Sequence, residues 1–190
     1  MVTIDSLLTF ACLAAVPTLA LCGIFCLVFL PREGRPHLLP TVAVFAGAFL
    51  LLVGGGRLLE RFGLAWRNLP SGALSLLLLL SGIAGVVFTL GALLPAELPK
   101  LPAVLRWIIK AAAAASAALV LFYALALGGI AINMAFGGEE RVVEYEGQTL
   151  VEVDRSFLDP WYVYYAYHGP LVRGNEILYD GPTPPWGDVR

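Results

Sequence analysis

Charge is scarce in this chain of 190 residues: 14% are Asp, Glu, Lys or Arg, against 59% that are hydrophobic. With a mean hydropathy of +0.82, that scarcity excludes an ordinary soluble or disordered composition and points to the membrane class. Cysteine is nearly missing too. The three present, Cys12, Cys22 and Cys26, all fall in the first apolar run, so no disulfide framework can staple the C-terminal part. Cys22 and Cys26 share a helix face at i, i+4. Without a neighbouring His or carboxylate they read as small buried hydrophobes rather than metal ligands.

Catalytic signatures are also lacking. There is no G-x-S-x-G, H-E-x-x-H, C-x-x-C, phosphate loop or G-x-G-x-x-G. Gly54-Gly55-Gly56 before Arg57 follows a membrane helix instead of a strand, and so lacks the context of a phosphate cradle. Ser156 and His168 with Asp159 or Asp180 supply the residue types of a nucleophilic triad. Asp154, Asp159 and Asp180 supply those of a calcium site. No spacing supports either, so no catalytic residue, metal or cofactor is assigned and no enzymatic activity is expected. Carboxylates are missing from the centres of the apolar runs as well, where an ion-coupled transporter would place them.

Long apolar runs are what the chain does contain. Leu7 to Leu30 has no charged side chain, enough to cross a hydrocarbon core of about 30 Å, and Met1 to Ser6 carries no basic signal-peptide region. The polar turn 31–37 sends a second helix back over residues 38–56, ending at the three glycines. Arg57, Arg61, Trp66 and Arg67 mark a headgroup-level stretch. Two further helices follow, near 73–94 and 104–136, joined through Pro95, Pro99 and Pro102. Ser81, Gly85 and Thr89 form a small-residue stripe, and Ala111 to Ala115 thins the fourth helix, so backbones can approach closely. Ser116 and Asn133 read as interhelical hydrogen-bonders, and Lys110 as a snorkelling cation. The expected fold is an all-α four-helix transmembrane bundle over residues 1–136 with a small C-terminal antiparallel β-meander module.

That module, residues 137–181, is acidic. Residues 1–136 hold eight Lys and Arg against four Asp and Glu, whereas 137–190 hold four against ten. An acidic tail repels nucleic-acid backbones and anionic headgroups, which excludes nucleic acid as a partner. Val142 to Tyr145 and Thr149 to Asp154 flank Glu146-Gly147-Gln148 as a hairpin. Trp161 to His168 forms the next strand. Gly174-Asn175 is expected to turn between Leu171–Arg173 and Ile177–Tyr179, and 182–190 to be an extended Pro-rich end.

In the stretch WYVYYAYHG a period of two puts Trp161, Val163, Tyr165 and Tyr167 on one face and Tyr162, Tyr164, Ala166 and His168 on the other. Rings on both faces suggest that one packs on the sheet's own core while the other meets something else. Tyr162, Tyr164 and His168 are therefore the candidate contact face. The bland reading is that a domain of this size covers a thin core with tyrosines.

The expected partners are the lipid bilayer and a protein at the tail module. The function expected is a non-enzymatic interaction, accessory or sensing component. The alternative is a small channel or transporter subunit, which would need a homo-oligomer. Arg32 and Arg35 after the first helix place the first turn in the cytoplasm and both termini outside the cell membrane.

Overall fold

The computed structural model describes residues 17–28, 37–97, 102–136, 138–156 and 159–185, without the side chains at 127 and 130–135. The described residues contain four helices: α1, Pro17–Val28; α2, Leu38–Arg61; α3, Asn68–Leu93; and α4, Ala103–Phe136. Three segments are long and apolar enough to cross a bilayer, α2, α3 and the part of α4 from Ala103 to Ala126. At 1.5 Å per residue, 24 residues reach roughly 36 Å, more than the hydrocarbon thickness. The span expected over 7–30 lies partly outside the described residues, and its described part, α1, is shorter.

Two helix boundaries differ from expectation. The second helix does not stop at Gly56. It passes through a π-turn, Leu50–Gly55, and continues as Gly56–Arg61. A widened turn keeps the amides bonded within the segment, which an apolar solvent demands, and the missing side chains there make room for an indole. A Cβ on Gly55 would lie 3.1 Å from Cζ2 of Trp66. The third helix starts at Asn68 rather than near Ala73, because Pro70 falls in its first turn, where a missing N–H costs nothing.

The chain divides into two compact units, Met1–Ala46 with Leu78–Gly129, and Gly47–Leu77 with Ile130–Arg190. In the first, Cys26, Leu38, Ala92, Leu93 and Ala113 form a buried cluster. The small-residue stripe of α3 faces its neighbours: a Cβ on Gly85 would lie 3.8 Å from Thr41 Cγ2, and one on Gly23 would lie 3.6 Å from Thr89 Oγ1, both ordinary van der Waals distances. Ala113 and Ala117 are fully buried on α4. Lys110 donates to the carbonyl of Leu94, a cation closing the C-terminal end of α3. Leu39, Leu50, Leu51, Phe122 and Leu125 are exposed, as suits side chains whose solvent is lipid.

The second unit holds a five-stranded antiparallel sheet in the order β1-β5-β4-β3-β2. Its strands are β1, Leu64–Trp66; β2, Glu140–Tyr145; β3, Gln148–Asp154; β4, Tyr162–Tyr167; and β5, Val172–Gly181. The first hairpin closes through Glu146 (φ 49°) and Gly147 (φ 77°), a two-residue turn with both centres left-handed. Gln148 belongs to the strand.

Two strands depart from the sequence reading. Gly174-Asn175 does not turn, and β5 runs unbroken. Gly174 pairs with Leu64, and the Asn175 amide donates to Gly63, so the glycine serves a neighbouring strand. That neighbour, β1, lies between two apolar helices, and its three residues are too few to show alternation. Pairing of Leu64–Trp66 with Val172–Gly174 puts the α2–α3 connection and the tail on the same side of any bilayer that α3 and α4 cross.

Entry into β2 depends on Gly138. Its φ is +80°, and a Cβ there would fall 1.8 Å from the Asp154 carbonyl oxygen. Strain of a left-handed non-glycine is of order 1–3 kcal/mol, and a backbone clash adds to it. Gly138→Ala is expected to cost more than about 3 kcal/mol, measured as a loss of thermal stability in detergent. A melting temperature equal to that of the parent would refute the close approach.

Candidate functional site

Register sorts the sheet into two faces. Val151 pairs with Tyr165 and Val153 with Val163; these four form the buried cluster of the sheet, with Tyr167 packed against it. On the opposite face Glu152 pairs with Tyr164 and Asp154 with Tyr162.

The three candidate contact residues have different surroundings. Tyr164 is fully buried. Its hydroxyl donates to Glu152 Oε2 at 2.5 Å, and its ring meets Tyr179 edge-on at 5.8 Å. Tyr162 is half-buried and His168 exposed. Much of what the second row of rings meets is therefore the chain's own β5. Burial, together with the Glu152 carboxylate, pushes the Tyr164 phenol above its ordinary value of 10.

A second cluster lies on the core face, where Glu140 reaches the start of α3. Arg67 Nε donates to Glu140 Oε2 at 3.0 Å, and the Asn68 amide, at the first turn of α3, donates to Oε1 at 3.2 Å. Arg173 Nε stands 3.7 Å from Oε1. The three charged side chains are only 14%, 8% and 11% exposed for Arg67, Glu140 and Arg173. Arg173 also lies over the Tyr165 ring at 3.6 Å, and Arg67 over Tyr167 at 5.8 Å. Two tyrosines of the aromatic strand thus serve as π-faces for buried guanidinium groups. The cluster borders a cleft of about 410 Å³ lined by Arg67, Asn68, Gly138, Glu140 and Phe136 among others.

This cluster was not legible in the sequence. Arg67 beside Trp66 reads as a snorkelling interfacial pair, whereas the structure spends Arg67 on Glu140 and seats Trp66 against Gly55. The available signal was Arg173 directly after the apolar pair Leu171-Val172, a cation that must find a partner when half-buried.

The other candidates stay apart. Ser156 Oγ accepts from the Trp161 amide, and the Ser156 amide donates to Asp154 Oδ1, which is a turn. Hydrogen bonds from Ser156 hold the Asp154 carboxyl below its ordinary value. Among the described residues no hydrogen bond joins Ser156 to His168, Asp159 or Asp180. Nor does any group of three or more His, Cys, Asp or Glu there hold metal-binding geometry. Neither Cys22 nor Cys26 is in a disulfide, and the Cys26 thiol donates to the Thr89 carbonyl at 4.0 Å, while Cys12 and the Asn133 side chain lie outside the described residues. No protein-family model, curated protein or solved structure matches the chain.

Two outcomes follow from the electrostatics. A folded-state phenol with a raised pKa contributes stability that is complete below pH 10 and is lost as pH climbs above it. Tyr164→Phe should flatten the fall of melting temperature in that alkaline range relative to the parent. Two parallel curves would remove the effect.

Within the ion cluster, removing the single anion leaves two buried cations unpaired, whereas removing one cation leaves a matched pair. Glu140→Gln should therefore cost about 3–5 kcal/mol, and Arg173→Met clearly less. Equal losses in thermal unfolding would contradict this ordering.

Proposed function

We propose that the chain is a multi-pass integral membrane protein whose C-terminal sheet is a non-enzymatic interaction, accessory or sensing element. The observation that carries this reading is the edge of β5. Strand β1 covers only Val172–Gly174, and among the described strands none covers the far side of the rest of β5. That stretch carries Ile177 and Leu178, each about half exposed, between Glu176 and Asp180, and holds no lysine or proline. Folded proteins normally blunt an open edge with lysine, proline or a covering segment. An open edge with one exposed apolar side chain towards each face suits an added strand from a partner, whose backbone supplies affinity while side-chain contacts supply selectivity. Exposed His168 and half-buried Tyr162 are further positions for such a contact.

The helices anchor the sheet in this reading, and the membrane is the cell membrane, with the sheet and both termini extracytoplasmic. That orientation rests on Arg32 and Arg35, which follow the first apolar run and favour a cytoplasmic first turn. A photoreactive residue in place of Leu178 should crosslink, in native membranes, to one other protein, and Ile177→Lys should abolish that capture without loss of expression. Crosslinks confined to the chain's own helices or to lipid would refute the reading.

A further inference from the structure

The ion cluster at the start of α3 contains more cation than anion. Arg67 and Arg173 face one carboxylate, Glu140, which leaves a net positive charge among side chains that are mostly buried. Their donors are also poorly used. Arg67 spends only Nε on Glu140, so its two terminal amino groups have no hydrogen-bond partner among the described residues. In Arg173, Nε and Nη1 are buried without one. A buried guanidinium without hydrogen bonds is costly, and aromatic faces offset only part of that cost.

The cleft beside Arg67 has a definite place along the chain. Arg67 immediately precedes Asn68, the first residue of a segment long and apolar enough to cross a bilayer, so its guanidinium stands where a span begins. There the most abundant anion is phosphate. The fork of an arginine matches phosphate oxygens two at a time, and the amino end of a helix adds donor dipoles of the same sign. Glu140 occupies part of this cradle from within, acting as an internal anion at Asn68 N–H and at Arg67 Nε.

We infer that the cleft bounded by Arg67, Asn68 and Glu140 binds a phosphate group, held by the terminal amino groups of Arg67 and balanced by the second cation, Arg173. The acidic tail does not oppose this. Glu139, the carboxylate next to Gly138 in the sequence, is paired with Arg141, whereas the phosphate is in direct contact with the Arg67 cation. The phosphate comes from a phospholipid headgroup or from free inorganic phosphate; both present the same oxygens. The site stands whether or not the β5 edge recruits a protein.

The full chain, purified in a maltoside detergent that carries no phosphate, tests this in two arms. Thermal unfolding is followed with inorganic phosphate against chloride at matched ionic strength. In parallel, lipid retention is read by native mass spectrometry after exposure to vesicles of phosphatidylglycerol or of an uncharged glycolipid. A raised melting temperature with inorganic phosphate supports the site and identifies free phosphate as a ligand. Selective retention of phosphatidylglycerol supports it and identifies the headgroup.

In whichever arm responds, Arg67→Lys keeps the charge but loses the fork, and should weaken binding about tenfold. Glu140→Gln removes the internal competitor and should tighten it by about as much. A cluster that serves only as a structural clamp predicts no binding by the parent and no gain from Glu140→Gln. Absence of both responses in the parent protein, or binding that Arg67→Lys and Glu140→Gln leave unmoved, would overturn the assignment.

Discussion

One carboxylate determines how the second unit is put together. Glu140 stands at the first residue of β2, yet its oxygens accept from Arg67 and Asn68 and lie against Arg173. Through that single group a helix start, the first tail strand and the longest strand are held in register. A helix whose first amide is satisfied by a carboxylate gains from both the hydrogen bond and its dipole. Removing a carboxylate from water between two arginines is costly unless each oxygen finds donors. Here Oε1 and Oε2 both do.

The aromatic strand β4 makes that arrangement affordable in a small sheet. Tyr165 contributes to the apolar cluster with Val151, Val153 and Val163 and at the same time lies under Arg173. Its hydroxyl accepts from Arg155 Nη2 at 3.2 Å. Tyr164 closes the opposite face against Tyr179 and Glu152. A tyrosine can do this because one side chain offers a large apolar ring, a negative π-face and a polar tip. Five aromatics in WYVYYAYHG thus substitute for the depth of core that so few residues cannot supply.

Much of the helical part was legible because a span of apolar side chains announces itself locally. The segments beginning at Leu38 and Ala103 came within a residue or two of their expected starts, and Ser81 and Thr89 of the small-residue stripe are buried. The hairpin around Gly147 and the strand from Tyr162 were readable for the same reason, a turn residue and a period of two. The continuation of α2 past its glycines was not. Glycine reads as a stop in sequence, but at Gly55 it spares the Trp66 indole a tight contact, since a Cβ there would lie 3.1 Å from Cζ2. The candidate contact tyrosines could be assigned to faces but not to depth, since burial of Tyr164 depends on Tyr179, fifteen positions further along the chain.

Composition and periodicity determined on their own that the chain has segments able to cross a bilayer, that the charge-rich tail is β-structured, and that its tyrosines face two ways. These are properties of neighbouring residues, and local preference with solvent transfer suffices to set them. Only the tertiary structure decided that Leu64–Trp66 is a strand, that β5 is unbroken, and that Arg67, Glu140 and Arg173 share one site. Strand pairing and ion pairing join residues as far apart as Asn68 and Glu140, 72 positions in sequence. No local pattern records such partners, because each backbone amide and each charge is satisfied by whatever the fold brings to it.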